Sequence, residues 1–268
     1  MKRVWGHVLA AAGLLAGGGA AESACVHDNS TLYIQNALAQ QLVTNGQQCV
    51  YTPDPTQTFS WKGTLDLGLK AQYEAVFLVG NQTVAQGDPS APKTETSRIT
   101  LEGGIVRITD ATTGQQLANY TTSTSATVNP QSGNNPSFIA AGLTIVDHAT
   151  AASFLSSVQQ AGHPYARVLT YTRVFGHTLG GQYVESDEFQ YPIDICYGCL
   201  VTFAPQDIDP NWPQPNCAAS KTGTSSTLPL PCDPGQDYTI DCSQCPAFRV
   251  CNPNVPAGYV PMADAGPG

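Results

Sequence analysis

Basic residues and long apolar segments are both scarce in this 268-residue chain. It carries 11 lysines and arginines against 20 aspartates and glutamates, a formal net charge of −9. Because such an acidic chain is repelled by nucleic acid and by anionic lipid, we expect neither as a direct partner. After the first 24 residues, no segment approaches the roughly 20 apolar residues that a membrane-spanning helix needs. We therefore expect membrane association only through a lipid anchor.

Recognisable catalytic motifs are missing as well. The sequence has no dinucleotide fingerprint, no phosphate loop, no G-x-S-x-G elbow and no H-E-x-x-H pair. His148, His163 and His177 flank the predicted helix or a turn, where surface and capping roles are usual. Asp187 and Glu188 lie near His177 across a Gly-Gly turn, which favours an ion pair. We predict no catalytic residue and no cofactor, and an exported hydrolase without a known motif remains an alternative function.

The chain begins with the three parts of a secretory signal. Lys2 and Arg3 supply positive charge, Val8 to Ala16 is apolar, and small residues follow. We predict a signal peptide over residues 1–24 and an exported protein of the outer membrane, the cell envelope or the extracellular space.

Two cleavage sites fit this signal. Gly19-Ala20-Ala21 suits ordinary signal peptidase, whereas Ser23-Ala24-Cys25 suits a lipoprotein signal that would place lipid on Cys25. Glu22 stands where lipoprotein signals usually carry an aliphatic residue. Cysteine number favours lipidation, because nine is odd and a lipid on Cys25 leaves eight that can pair.

Seven of the nine cysteines fall between Cys196 and Cys251. In an oxidising compartment such cysteines pair, so disulfide bonds are the expected role of eight of them: Cys49, Cys196, Cys199, Cys217, Cys232, Cys242, Cys245 and Cys251. Their connectivity stays open, although we expect the isolated Cys49 to bond to the C-terminal group and clasp the domain.

Metal binding is the competing interpretation of two segments. The pairs Cys196–Cys199 and Cys242–Cys245 could form a four-thiolate zinc site, but more than forty residues separate them. Residues 207–211 alternate oxygen-bearing side chains as calcium loops do, yet Trp212 occupies the position that needs glycine. We predict no metal site, and a metal-binding module remains a second alternative.

Short alternating apolar segments between Phe59 and Ile195 are typical of strands, and Ala151–Ala161, capped by Thr150, is the one predicted helix. There is neither βαβ alternation nor a fixed repeat. This favours an all-β, mainly antiparallel, immunoglobulin-like β-sandwich with one short helix and a disulfide-rich C-terminal extension. The predicted divisions after the signal peptide are a lead-in segment (25–57), the β-sandwich (58–205), a Cys-rich extension (206–251) and a disordered tail (252–268).

One segment of the sequence, residues 188–202, carries the most specific resemblance to known proteins. The stretch from Glu188 to Thr202, which contains Cys196-Tyr-Gly-Cys199, resembles uncharacterised outer-membrane lipoproteins of myxobacteria, in which a β domain leads through a CxGC step to a Cys-rich tail. The resemblance implies an envelope location and lipidation at Cys25, and it brings no activity with it. We thus expect an exported, non-catalytic envelope protein with a binding, adhesion or structural role and an unidentified partner.

Overall fold

The computed structural model describes residues 31–40, 42–43, 49–86, 96–160, 165–217 and 230–255. The predicted signal peptide, Cys25, His163 and the part of the predicted tail from 256 onward lie outside these residues. Within the described ranges, no helix is both long and apolar enough to cross a membrane.

The described chain forms fourteen strands and one α-helix. In chain order they are β1 (Leu32–Leu38), β2 (Leu42–Val43), β3 (Phe59–Ser60), β4 (Gly63–Asp66), β5 (Tyr73–Asn81), β6 (Ile99–Asp110), β7 (Gln116–Val128), β8 (Ser137–Val146), α1 (His148–Val158), β9 (Tyr165–Thr178), β10 (Tyr183–Glu185), β11 (Phe189–Cys196), β12 (Val201–Thr202), β13 (Leu230–Pro231) and β14 (Ile240–Asp241).

Two sheets pack face to face in a sandwich. One has the order β3-β1-β5-β8, and the other has the order β4-β11-β9-β6-β7. In the second sheet, β10 pairs with the C-terminal end of β9. Neighbours are antiparallel except β4 and β11, which run parallel. The predicted all-β, mainly antiparallel class with a single α-helix is thus confirmed.

The core lies between the sheets and is built from alternating strand positions. The apolar run that predicts a central strand becomes β5, between β1 and β8. Its Phe77, Leu78 and Val79 are all fully buried, as expected for a strand covered on both faces.

The Gly103-Gly104 pair lies inside a continuous β6, directly after a bulge at Glu102. The register of β6 shifts between Leu101 and Gly103 against both β7 and β9. A Cβ on Gly103 would stand 2.4 Å from the carbonyl oxygen of Thr122, so only glycine allows the two backbones to approach this closely.

The helix begins earlier than the sequence predicts. Asp147, not Thr150, is its N-cap, and the Asp147 side chain accepts a hydrogen bond from Thr150 N at 3.2 Å. Thr150 is buried inside the first turn. A carboxylate outcompetes a hydroxyl as the acceptor for these free amides, which moves the start to His148.

The boundary at residue 58 does not separate a lead-in from the sandwich. β1, inside the predicted lead-in segment of 25–57, pairs with both β5 and β3 and buries Leu32 completely. The alternation in β1 is imperfect, with a register shift between Ile34 and Asn36, which is why the segment looked weakly structured in sequence.

All eight described cysteines are paired, so the disulfide bonding expected from the sequence is present. The pairs are Cys49–Cys232, Cys196–Cys199, Cys217–Cys242 and Cys245–Cys251. Cys49 bonds to the C-terminal group, as predicted. The extension also buries a small cluster of its own, in which Val201, Ile240 and Val250 pack with four cysteines.

Asp66 joins the turn after β4 to the segment that follows β11. Its side chain is fully buried and accepts hydrogen bonds from three backbone amides: Gly68 N at 2.9 Å, Gly198 N at 2.7 Å and Leu200 N at 2.9 Å. One carboxylate thus satisfies the turn after β4 and the Cys196–Cys199 step together.

The segment 233–238 covers the outer edge of β4. Asp66 N donates to Gly235 O at 2.9 Å and Asp237 N donates to Thr64 O at 3.0 Å. The extension therefore supplies one more strand-like partner to the larger sheet.

Candidate ligand-binding cleft

Two adjoining open chambers lie where β1 ends. They have volumes of about 220 Å³ and about 310 Å³ and share four lining residues: Ala39, Gln40, Thr58 and Tyr238. We call them together the Gln40 cleft. The smaller chamber is also lined by Tyr51, and the larger by Phe59, Ser60, Lys62, Thr64 and Asp237.

Three distant parts of the chain build the Gln40 cleft. Ala39 N donates to Thr58 O at 3.0 Å, which continues the pairing of β1 with β3 past the last residue of β1. The segment 233–238 forms a further wall through its contacts with β4. The Cys49–Cys232 disulfide joins the segment leading to Tyr51 to the start of that wall.

Gln40 is the unusual residue of the cleft. Only 7% of its surface is exposed, and neither its amide nitrogen nor its amide oxygen has a hydrogen-bond partner among the described residues. A buried amide without partners costs free energy, so such groups are rare unless something else binds them. The side chain lines both open chambers, and also an inner space of about 10 Å³ that has room for roughly one water.

Gln236 shows what a buried glutamine does when it serves the fold. It is 2% exposed, its Oε1 accepts from Glu74 N at 2.9 Å, and its Nε2 donates to Glu74 O at 2.9 Å. The amide thereby pairs with the start of β5 as a strand residue would. Gln40 has no such arrangement.

A hydroxyl network lies behind the cleft. Tyr73 donates to the Asp237 carboxylate, with oxygen distances of 2.8 and 3.0 Å, and Thr64 N donates to the same carboxylate at 2.8 Å. The hydroxyls of Tyr73 and Tyr191 are 3.3 Å apart. Asp237 holds a positive φ of 60°, a conformation that aspartate tolerates better than most residues.

Burial governs the ionisation of this network. It raises the pKa of Asp237, against the opposing effect of the hydrogen bonds from Thr64 N and Tyr73. Burial first, and then the Asp237 charge, raises the pKa of Tyr191 to about 12 and that of Tyr73 well above its ordinary value. The pKa of Tyr51 rises to about 12 through burial and the charges of Asp233 and Asp237. These phenols stay protonated near neutral pH, so they act as hydrogen-bond donors and not as bases.

The charges that line the cleft are already paired. Lys62 Nζ lies 3.0 Å from Asp194, which also binds Arg167, and Asp237 is held by its hydrogen bonds. The remaining polar lining consists of neutral amides and hydroxyls. The cleft is therefore suited to an uncharged polar ligand.

Two groups of described residues bring three possible ligand atoms within 4.8 Å of one another, but in each group the two cysteines are bonded to each other: Asp66 with Cys196 and Cys199, and Asp241 with Cys217 and Cys242. Cys196 bonds to Cys199, whereas Cys242 and Cys245 bond to Cys217 and Cys251, so none offers a free thiolate. In the segment proposed as a calcium loop, the Asp209 side chain accepts from Asn211 N at 2.9 Å, which is Asx-turn chemistry.

His177 does not pair with Glu188, one of the two carboxylates near it in sequence. His177 Nδ1 lies 2.8 Å from Glu102 Oε1, and Glu188 pairs with Arg107 at 2.7 Å. Cross-strand register decides this, because β9 lies between β6 and β10 and Thr100 of β6 is the direct partner of His177. His148 begins α1, well apart in sequence from this pair.

Sequence reasoning missed the Gln40 cleft entirely. Its residues are spread over segments near 40, 51–64 and 233–238, and none forms a motif. The only local signal was Asp233-Pro-Gly-Gln-Asp237, a cluster of turn-forming residues that marks a sharp change of direction.

Comparisons with known proteins add no family. No protein-family model matches the chain, and no curated protein matches it. One solved structure, titled "X-ray structure of Northeast Structural Genomics Consortium target SoR45", is similar over 64% of this chain and 92% of that one, with 11% identity and a TM-score of 0.29.

Proposed function

We propose that this protein is an exported, non-catalytic binding protein of the cell envelope, and that the Gln40 cleft takes up a small neutral ligand. The observation that carries the binding role is the Gln40 amide, buried without a partner beside two open chambers. A ligand amide or hydroxyl would supply the missing hydrogen bonds. The raised pKa of Tyr51, which lines the smaller chamber, keeps its phenol protonated near neutral pH, where it can donate a hydrogen bond to a ligand.

The prediction for Gln40 separates a binding residue from a structural one. Replacing Gln40 with leucine removes two unsatisfied polar atoms and keeps the volume, so we expect the free energy of unfolding to stay constant or to rise by about 1 kcal/mol. In chemical denaturation, the matched variant Gln236→Leu should lose about 2 kcal/mol, because it leaves the backbone groups of Glu74 unpaired.

The same variants then test binding. Thermal shift measurements of the mature protein against a set of neutral sugars, amino-acid amides and nucleosides should find a compound that stabilises the wild type but not Gln40→Leu. Equal destabilisation by both leucine variants, or a wild type that no compound stabilises, would count against the proposal.

Export and lipidation form the second part of the proposal. Four disulfides favour an oxidising compartment. They also use all eight other cysteines, which leaves Cys25 without a cysteine partner in its own chain. The order of residues 1–24 and the odd cysteine support a lipid on Cys25 as the tether.

The mature N-terminus tests this tether. Mass spectrometry of protein purified from its native envelope should find Cys25 as the first residue, carrying lipid mass, and globomycin should cause the unprocessed precursor to accumulate. Cys25→Ala should abolish both effects. An unmodified N-terminus at Glu22 would show that the protein is released without an anchor.

A further inference from the structure

Exposed aromatic side chains lie in the wall of the larger chamber of the Gln40 cleft and directly against that wall. Phe59 and Tyr238 line the larger chamber, and they are 39% and 36% exposed. Trp61, two residues beyond Phe59, is 80% exposed. Its ring packs edge-on against Phe59, with centroids 4.7 Å apart and planes at 70°.

Exposure of the Trp61 ring to water costs free energy, and the contact with Phe59 limits the orientation of the ring. A tryptophan loses more by contact with water than almost any other side chain, and the Phe59 ring restricts the directions it can take. The Trp61 ring is thus largely open to solvent and packs against a residue of the chamber wall, which suits a ligand that covers an aromatic ring on binding.

The rest of the larger chamber is lined mainly by polar residues. Its polar lining includes Thr58, Ser60, Thr64 and the shared Gln40, together with two charged residues that already have partners, Lys62 and Asp237. An amide offers a donor and an acceptor together, which matches adjacent hydroxyls on one ligand ring. A partner that fits both parts must have an apolar face and a dense set of neutral hydroxyls.

The two chambers also suit a repeating ligand. They share Gln40 and Thr58, and each is of a size that accepts a single ring with its substituents rather than an extended molecule. Consecutive units of one chain could occupy them in turn, with the shared amide contacting both.

We infer that the ligand of the Gln40 cleft is a neutral oligosaccharide, with one ring stacked on Trp61 and ring hydroxyls bound by Gln40. This inference rests on the proposed binding function and names the class of ligand. C–H groups on one face of a sugar ring are polarised and interact favourably with an aromatic face, while the ring edge carries the hydroxyls.

Calorimetry with defined oligosaccharides tests the inference. The probes are cellohexaose, maltohexaose, laminarihexaose and chitohexaose, titrated into the mature protein. At least one should bind, Trp61→Ala should weaken it by about tenfold or more, and Trp61→Phe should weaken it less. Gln40→Leu should remove binding.

Tyr183→Ala is the matched control. Tyr183 is 49% exposed on β10, which pairs the end of β9 farthest from β4, and its loss should leave the affinity unchanged. The inference would be overturned if Trp61→Ala left the sugar affinity unchanged, or if Tyr183→Ala weakened it as much as Trp61→Ala does. Either result would place the site elsewhere.

The outcome also separates the two proposals. If none of the four oligosaccharides binds but a non-sugar compound stabilises the wild type in a Gln40-dependent manner, the ligand class is wrong and the binding function stands. If neither kind of compound binds, both fall together.

Discussion

Replacing Cys49 and Cys232 together with serine is expected to lower the free energy of unfolding by about 5 kcal/mol. The bond joins residues 183 positions apart, and the chain-entropy model assigns the largest stabilisation to the longest closed loop. Guanidinium unfolding followed by tryptophan fluorescence measures the loss.

A second double variant serves as the control. Cys196 and Cys199 are only three positions apart, so replacing both with serine should cost about 2 kcal/mol in the same model. Equal losses in the two double variants would mean that the entropy of the unfolded chain is not the source of the stabilisation.

The Cys49–Cys232 bond has a functional consequence as well. It connects the segment before Tyr51 to the segment 233–238, and both contribute walls to the Gln40 cleft. Its loss should weaken ligand binding even at temperatures where the variant remains folded, because the walls are no longer held at a fixed separation.

Replacing Asp66 with alanine is expected to lower the free energy of unfolding by about 4 kcal/mol, the second largest effect that we predict. The change leaves three amides without their acceptor: the buried Leu200 N and the half-buried Gly68 N and Gly198 N. The Gly68 backbone lies close to Val250, since a Cβ added there would stand 2.0 Å from the Val250 side chain.

Two further variants make the Asp66 prediction specific. Asp66→Asn keeps one carbonyl oxygen and should cost about half as much. Asp110→Ala also removes a carboxylate that accepts two backbone amides, Thr112 N and Thr113 N, but in an exposed turn where water replaces it. The free energy of unfolding of Asp110→Ala should fall by less than about 1 kcal/mol. A similar fall in Asp66→Ala and Asp110→Ala would show that burial is not what makes Asp66 important.

Hydrophobic alternation was enough to predict the sandwich but not its edges. The unbroken apolar run of β5 identified a strand covered on both sides, and Gly103 marked an irregularity in β6. Residues 30–36 could be predicted as a candidate strand, but not as a member of the sandwich, because the membership of such a strand is decided by its partners rather than by its own sequence.

The site was beyond sequence reasoning for a different reason. Isolation of Cys49 was a usable signal for its bond to the C-terminal group, because an exported chain leaves few thiols unpaired. Gln40 and Gln236 are the same residue type and are both buried, yet one pairs with Glu74 and the other with nothing described. Only the three-dimensional arrangement separates them.

The strand-like cover on β4 has a bearing on how the molecule matures. Until residues 233–238 take their place, β4 presents bare amides and carbonyls that a second molecule could extend into an aggregate. The cover lies more than 160 residues downstream of β4 and is fastened by a bond that forms only on oxidation. Protection of this edge against aggregation therefore depends on thiol oxidation, and a host that cannot form disulfide bonds should yield the protein mainly as insoluble aggregate.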